Sequence, residues 1–408
     1  MIASGNIFLG CKDENISSTL TNDLEIYHLR QIITKDSSTS RKIMFQSDDQ
    51  LKNPIVELRE QNSDQIEKFN CVDCSFTDDD NENIQFVAEI SNLTINKIYE
   101  YRIVDGDHCT NWITFENSDQ NSFKALIFPD SQCADYDVWI KLAKDAYNRN
   151  EDTNFFVNMG DLVDNGEDSS QWRRWFSATE DFISKIPFVP LVGNHEYYNR
   201  QWQVRPANAY FNYFDVPNNN SAKFNRHYYS FDFGNAHFVV LDNQNSELDT
   251  INLEDGEEII SEQKNFLKQD MTATNKKWKI VLAHKDVLQY RINGRPERQE
   301  GFSDFGLEFM PLFDELKIDL VLTAHLHTYR DRGKIFNFER NDQGTLYILT
   351  GIAGDVRYPG LWIDHALDIV KAPQPEVDNY LTLNVTNDKI VVKCFNYDGT
   401  EIDNIEIS

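Results

Sequence analysis

Five short polar clusters follow apolar, β-prone runs in this chain. They are Pro-Asp-Ser-Gln (129–132), Gly-Asp-Leu-Val-Asp-Asn-Gly (160–166), Gly-Asn-His-Glu (193–196), Ala-His-Lys (283–285) and Ala-His-Leu-His (324–327). Together they gather Asp, Asn and His, the oxygen and nitrogen donors that suit borderline divalent metals. The candidate ligands are Asp130, Asp161, Asn194, His284, His325 and His327. In an α/β sheet the carboxyl ends of the strands line the crevice where ligands bind, so residues far apart in sequence can converge there. Two metals roughly 3.5–4 Å apart need an anionic ligand between them and terminal ligands on each. A carboxylate such as Asp161 can bridge, while neutral imidazoles and an amide oxygen complete the shell. Gly160 and Gly193 would allow tight turns that bring backbone close to the ions. The chemistry implied is two-metal hydrolysis.

The last cluster carries its own expectation. If the chain stays extended at 324–327, His325 and His327 project to one face and Leu326 to the other. Two residues of strand separate them by roughly 6.6 Å, which suits terminal ligands on neighbouring metals.

The elements that must position these residues read as two units. Residues 1–117 show short Ile-, Val-, Phe- and Tyr-rich runs (24–34, 41–47, 54–60, 84–91, 98–104, 111–115) at sandwich-like spacing. The acidic stretch 78–83 reads as a solvated turn. A polar linker at 116–122 leads into a unit spanning 123–408. There strand-like runs at 123–128, 154–158 and 188–192 alternate with helical spacing at 134–148 and 170–183, the signature of a parallel α/β sheet. A turn at Gly234-Asn235 predicts a hairpin within 227–242. Ser261 is expected before a helix, 279–283 as a strand, Ser303 before a helix reaching Leu316, and 320–323 as a further strand. Alternating return strands follow at 380–387, 389–396 and 401–407.

Composition narrows the function classes. The 408 residues carry 67 acidic and 39 basic side chains, a formal charge of −28. Such a surface disfavours a nucleic-acid polymer or an anionic membrane as partner. A small anionic substrate remains compatible, because bound metal ions dominate the local field. No apolar run is long enough for a membrane span, and the first eleven residues make no clear signal peptide. Six cysteines (11, 71, 74, 109, 133, 394) are too sparse to staple the chain. Cys71 and Cys74 read as a hairpin with two thiols or a local disulfide.

The ordered set Asp130, Gly160-Asp161, Gly193-Asn194-His195-Glu196, His284 and His325-Leu326-His327 resembles the calcineurin-like metallophosphoesterase family, and its purple acid phosphatase branch most. The resemblance implies a four-layer αββα metallophosphoesterase sandwich behind an all-β fibronectin- or immunoglobulin-like sandwich. It implies two divalent or trivalent ions, Fe, Mn or Zn. Asp161 would bridge them, Asp130 and His327 would hold the first, and Asn194, His284 and His325 the second. A metal-bound hydroxide would attack phosphorus, with His195 as general acid or transition-state hydrogen-bond donor. It also implies a secreted or cell-surface location.

The chain departs from the family pattern at several positions. Gln132 stands where many members carry a His ligand, and is a candidate weak ligand. Asp164 stands where purple acid phosphatases carry an iron-binding tyrosine. The motif around it resembles the protein phosphatases, which implies that Asp164 orients His195; their Arg is Asn165 here. Ala324 replaces a usual Gly.

Other residues carry weaker signals. His227, His237 and His365 read as structural. Tyr197 and Tyr198 are candidates for the pocket or the core, and Trp172 and Trp175 for packing on the sheet. Arg205, Arg291, Arg295 and Arg357 are candidates for phosphate binding or for plain surface positions. The leading function is a phosphatase on small phosphorylated substrates. Two alternatives stand beside it: a phosphodiesterase or nucleotide hydrolase of the same fold, and a surface-binding module with a degenerate catalytic domain.

Overall fold

A computed structural model describes residues 20–118, 121–289, 300–358 and 362–408. Strand alternation decides where each apolar side chain goes. Along Ala236–Leu241 every residue is buried, with Phe238 and Val240 in one core and Val239 and Leu241 in another. Such two-faced strands need cover on both sides, and four layers provide it. A ten-stranded sheet runs in the order 401–407, 390–396, 379–385, 123–128, 155–158, 188–190, 27–32, 41–46, 85–90, 72–73. An eight-stranded sheet packs on it, with a parallel centre of 236–241, 278–283, 320–323 and 345–350. Helices Tyr136–Arg149 and Ser169–Thr179 share the first core, while Asp255–Ala273 and Asp304–Leu316 contribute Leu267, Met271, Phe309 and Phe313 to the second. This is the expected αββα sandwich, behind an all-β N-terminal region.

The helices start where capping permits. Asp135 accepts from the Asp137 N–H, Asp168 from Ser170 and Gln171, and Ser303 from Gly306. The third expected start is displaced. Ser261 lies inside a helix that begins at Asp255, where Asp255, Glu257 and Glu258 fill the first turn and favour its positive end.

The N-terminal strands Tyr27–Ile32, Arg41–Gln46 and Gln85–Ile90 face a second sheet of five strands across a core of Ile43, Phe45, Val56, Leu58, Tyr101 and Phe115. They also continue the ten-stranded sheet beyond 188–190. Ile32 pairs in parallel with Phe188, and the Ile33 N–H donates to the Phe188 carbonyl at 3.1 Å.

The stretch 78–83 is exposed at Asp80, Asn81 and Glu82, as a solvated turn would be, but it is anchored at Asp78 and Asp79. Phe76–Asp78 and Asn81–Asn83 form a hairpin, with Asp79 and Asp80 at its left-handed tip. Asp78 makes two 2.6 Å contacts to Arg205, and Asp79 pairs with Arg200 and accepts the Ser169 N–H. Periodicity shows the acidic residues but not the distant arginines that bury them. The expected hairpin at Gly234 is present, Phe233 pairing with Ala236.

Candidate active site

Glycine allows the ligand-bearing loops to approach one another. Gly160 (φ +99°) and Asp161 (φ +49°) turn the chain sharply after the strand Phe155–Asn158. A Cβ on Gly160 would overlap the His284 ring, and one on Gly193 would overlap the Asp161 carboxylate. Both positions therefore need a hydrogen side chain. The Glu196 carboxylate ties the two loops together. It accepts main-chain N–H groups from Gly193 (2.7 Å), Leu162 (2.8 Å), Asp161 (3.0 Å) and Val163 (3.4 Å).

All six expected ligands converge. Two groups form, Asp161–His284–His325 and Asp130–Asp161–His327, with ligand atoms within 4.8 Å of one another in each. Asp161 is common to both. His284 Nε2 lies 3.1 Å from Asp161 Oδ2 and 3.3 Å from Asn194 Oδ1. His327 Nε2 lies 3.0 Å from Asp130 Oδ2. The opposite ring nitrogens, Nδ1 of His284 and of His327, meet the carbonyls of Met159 (2.9 Å) and Val356 (2.8 Å). Those contacts place a proton on Nδ1 and leave Nε2 to face the cluster.

Electrostatics bind the cluster internally. Burial would raise the Asp161 carboxyl, but the His284, His195 and His325 rings outweigh it and hold it far below the usual carboxylate range. Burial lowers His284, yet Asp161 and Asp130 raise it to about 9. Burial and the neighbouring His284 push His325 well below its ordinary value.

Gln132 Oε1 and His325 Nδ1 are buried without a hydrogen-bond partner, and Asp130 Oδ2 and Asp161 Oδ2 are buried against the His327 and His284 Nε2 atoms, which donate nothing to them when the ring proton sits on Nδ1. A buried polar atom left unsatisfied costs on the order of 1–3 kcal/mol, and cations would satisfy the four atoms of this cluster together. The donor set of carboxylate, amide and imidazole, without thiolate, fits a pair of Mn, Fe or Zn ions.

His195 stands at the rim. Its Nε2 lies 4.0 Å from Asp161 Oδ2, and its main-chain N–H donates to Asp161 Oδ1 at 2.8 Å. The orienting contact differs from expectation. His195 Nδ1 meets the main-chain carbonyl of Asp164 at 2.7 Å, and the Asp164 carboxylate comes second at 3.5 Å. Burial raises the Asp164 carboxyl, against the pull of His195.

A family description, calcineurin-like phosphoesterase, matches residues 108–329, more than half of the chain. The chain belongs to the calcineurin-like phosphoesterase family. Among curated relatives of this family member, purple acid phosphatase 23 of Arabidopsis thaliana is 26% identical over 193 residues, covering 46% of this chain and 38% of that protein. Purple acid phosphatase 15 of the same plant is 27% identical over 215 residues, covering 50% and 36%. The probable inactive purple acid phosphatase 27 of Arabidopsis thaliana is 26% identical over 227 residues, covering 48% and 34%. The chain thus spans little more than a third of the length of these relatives. Purple acid phosphatase PPD1 from yellow lupin (Lupinus luteus) seeds superposes with a TM-score of 0.79 at 17% identity, over 94% of this chain and 74% of that one. PhoD superposes at 0.61 and 12% identity, over 93% and 91%. These two likenesses show the fold.

In this calcineurin-like phosphoesterase the His-Leu-His segment is not extended. His325 (φ +74°) and His327 (φ +51°) are left-handed, and the Leu326 N–H folds back to the Ala324 carbonyl at 2.9 Å. The His325 N–H donates to Asp130 Oδ1 at 2.9 Å. That tertiary bond and the turn override the strand period, and Leu326 still packs into the second core. Gln132 is fully buried, and its amide nitrogen lies 3.5 Å from His327 Nε2, at the edge of the Asp130 group.

The two described candidate arginines have carboxylate partners. Arg205 holds Asp78, and Arg357 pairs with Asp378 while donating to the Gly354 carbonyl at 2.6 Å. Arg291 and Arg295 lie outside the described residues. Of the remaining histidines, His227 pairs with Asp242 at 2.7 Å, His237 sits between Asp232 and Asp270, and His365 meets the Gly301 carbonyl. Tyr197 is buried and donates to Asp242, whereas Tyr198 flanks His195. Trp175 packs as expected and also donates to Ser131 Oγ and Asn158 Oδ1, both at 3.1 Å, behind Asp130. A cavity of about 530 Å³ opens beside His327, lined by Arg330, Arg357, Tyr358, Trp362 and Lys371. Sequence reasoning missed the Glu196 clamp. A Glu directly after Asn-His was the available signal, but its partners are main-chain groups that leave no trace in composition.

Proposed function

We propose that this chain is a dinuclear-metal phosphoesterase acting on small phosphate esters. The observation that carries the reading is the pair of ligand groups sharing Asp161, with four unpaired buried atoms among the ligand candidates. Asp130 and His327, with Gln132 at the edge, would hold one ion, and Asn194, His284 and His325 the other. When bound, the ions supply Lewis acidity for the phosphoryl oxygens and lower the pKa of water towards neutrality. His195 is fixed through Nδ1–H by the Asp164 carbonyl, so its Nε2 faces the site, and as the imidazolium it would give its Nε2 proton to the departing oxygen and return to the neutral ring. The sheet ends hold these groups in place before substrate arrives, which supplies orientation.

Within this reading, 1–117 is an accessory sandwich and 123–408 the catalytic unit. The alternative of a binding module with a degenerate site is motivated by Gln132 and by relatives named as probable inactive phosphatases. Metal analysis together with hydrolysis of a chromogenic aryl phosphate decides between them. About two ions per chain and turnover abolished by Asp161→Asn and by Asn194→Ala support the enzyme. Turnover that survives both substitutions sinks it, and a metal-poor protein inert on every ester supports the binding module.

A further inference from the structure

The loop after His195 holds a bulky ring open to solvent. Trp202 is 54% exposed, the most open tryptophan among the described residues. Its backbone is pinned. The Trp202 N–H donates to the Asn199 carbonyl at 2.9 Å, and the Asn199 side chain accepts from Gln201 (2.9 Å) and Gln203 (2.8 Å). Asn165 donates to the Asn199 carbonyl at 2.9 Å, the Arg200 N–H reaches Glu167, and the Arg200 guanidinium pairs with Asp79. Trp202 itself is left-handed at φ +61°, a conformation that strains a large side chain and persists only where surroundings impose it. The loop therefore spends hydrogen bonds on keeping one indole fixed and uncovered.

The indole also has a defined neighbour. Its ring centroid lies 5.7 Å from that of His195, at 90°. The Tyr198 ring is 5.4 Å from His195 and 6.0 Å from Trp202. If His195 protonates the leaving oxygen, the group attached to that oxygen extends past these two rings. Fixed aromatic faces gain area and quadrupole contacts with planar π-systems, and a rigid platform loses little entropy when a ligand stacks on it.

We propose that Trp202, with Tyr198, forms a stacking platform for the planar aromatic part of the leaving group. The enzyme then prefers phosphate esters of aromatic or nucleobase-bearing alcohols to those of small alkyl alcohols. This deepens the phosphoesterase reading and rests on it.

Metal-loaded wild type, Trp202→Ala and Trp202→Phe are compared in two assays. One measures kcat/KM for phenyl phosphate and glycerol phosphate; the other measures calorimetric affinity for phenylphosphonate and methylphosphonate. Trp202→Ala is expected to lower both aromatic-to-alkyl ratios about 10-fold, and Trp202→Phe to keep most of each. Turnover with ratios unchanged in Trp202→Ala overturns the platform and leaves the phosphoesterase reading standing. A Trp202-dependent phosphonate preference without turnover of either ester overturns catalysis and keeps the platform. Neither binding nor turnover in the wild type overturns both.

Discussion

Glu196→Gln tests the clamp on which the ligand positions depend. The wild-type carboxylate accepts from Leu162 on one oxygen and from Gly193 and Asp161 on the other. A glutamine can keep its oxygen towards Leu162, but it then turns an NH2 against the Gly193 and Asp161 N–H groups. Two charge-assisted bonds at about 1.5–3 kcal/mol each are lost, about 3–6 kcal/mol together. Burial, and after it the Asp161 charge, raises the Glu196 carboxyl to about 8, so the comparison is made above that pH, where the side chain is ionised and accepts at both oxygens. Thermal unfolding of the variant should shift down by roughly 4–7 °C, because a chain of 408 residues carries a large unfolding entropy. Asp161 and Asn194 are carried by the loosened loops, so metal affinity measured by calorimetry should fall about 10- to 100-fold. A variant that melts within about 2 °C of wild type and binds metal equally well refutes the reasoning, because the neutral side chain would then satisfy the same donors.

Two further outcomes follow from packing and charge. Gly193→Ala places a Cβ against the Asp161 carboxylate, and metal retained after dialysis should drop at least about 10-fold; undiminished metal content contradicts the assigned crowding. His237 lies 2.7 Å from Asp232 and 2.8 Å from Asp270, and although burial lowers it, these carboxylates raise it to about 9. Its folded value exceeds the ordinary value of about 6.5, so its stabilisation is full below about pH 6.5 and is lost as pH rises through 9, on the order of 3 kcal/mol at most. Denaturant unfolding of His237→Gln at about pH 6 and about pH 10 should show a smaller difference than wild type, and an equal difference disproves the linkage.

The convergence of the candidate ligands was legible because each combines a side-chain type with a local position at a strand end. Asp130 and His284 taken singly read as a turn residue and a core histidine, and the joint order of the five clusters singled them out. What stayed hidden depends on contacts between distant segments. The extended reading of His325 and His327 failed because a hydrogen bond from residue 325 to residue 130 sets that backbone. The anchoring of the hairpin 76–83 was not legible because Arg200 and Arg205 lie more than a hundred positions away. The Asp164 contact was half legible: the residue was right, but the atom holding His195 is its carbonyl, and main-chain atoms carry no sequence signature.

The parallel bridge between Ile32 and Phe188 has a consequence for how the molecule can be divided. Phe188–Pro190 leads directly into the turn that presents Asn194. Without the N-terminal strands it would be the bare margin of the sheet, an unpaired row of N–H and C=O groups of the kind that recruits other chains. The N-terminal region therefore acts as a border guard for the sheet that carries the candidate ligands, and a fragment cut at residue 117 would inherit a sticky flank beside them.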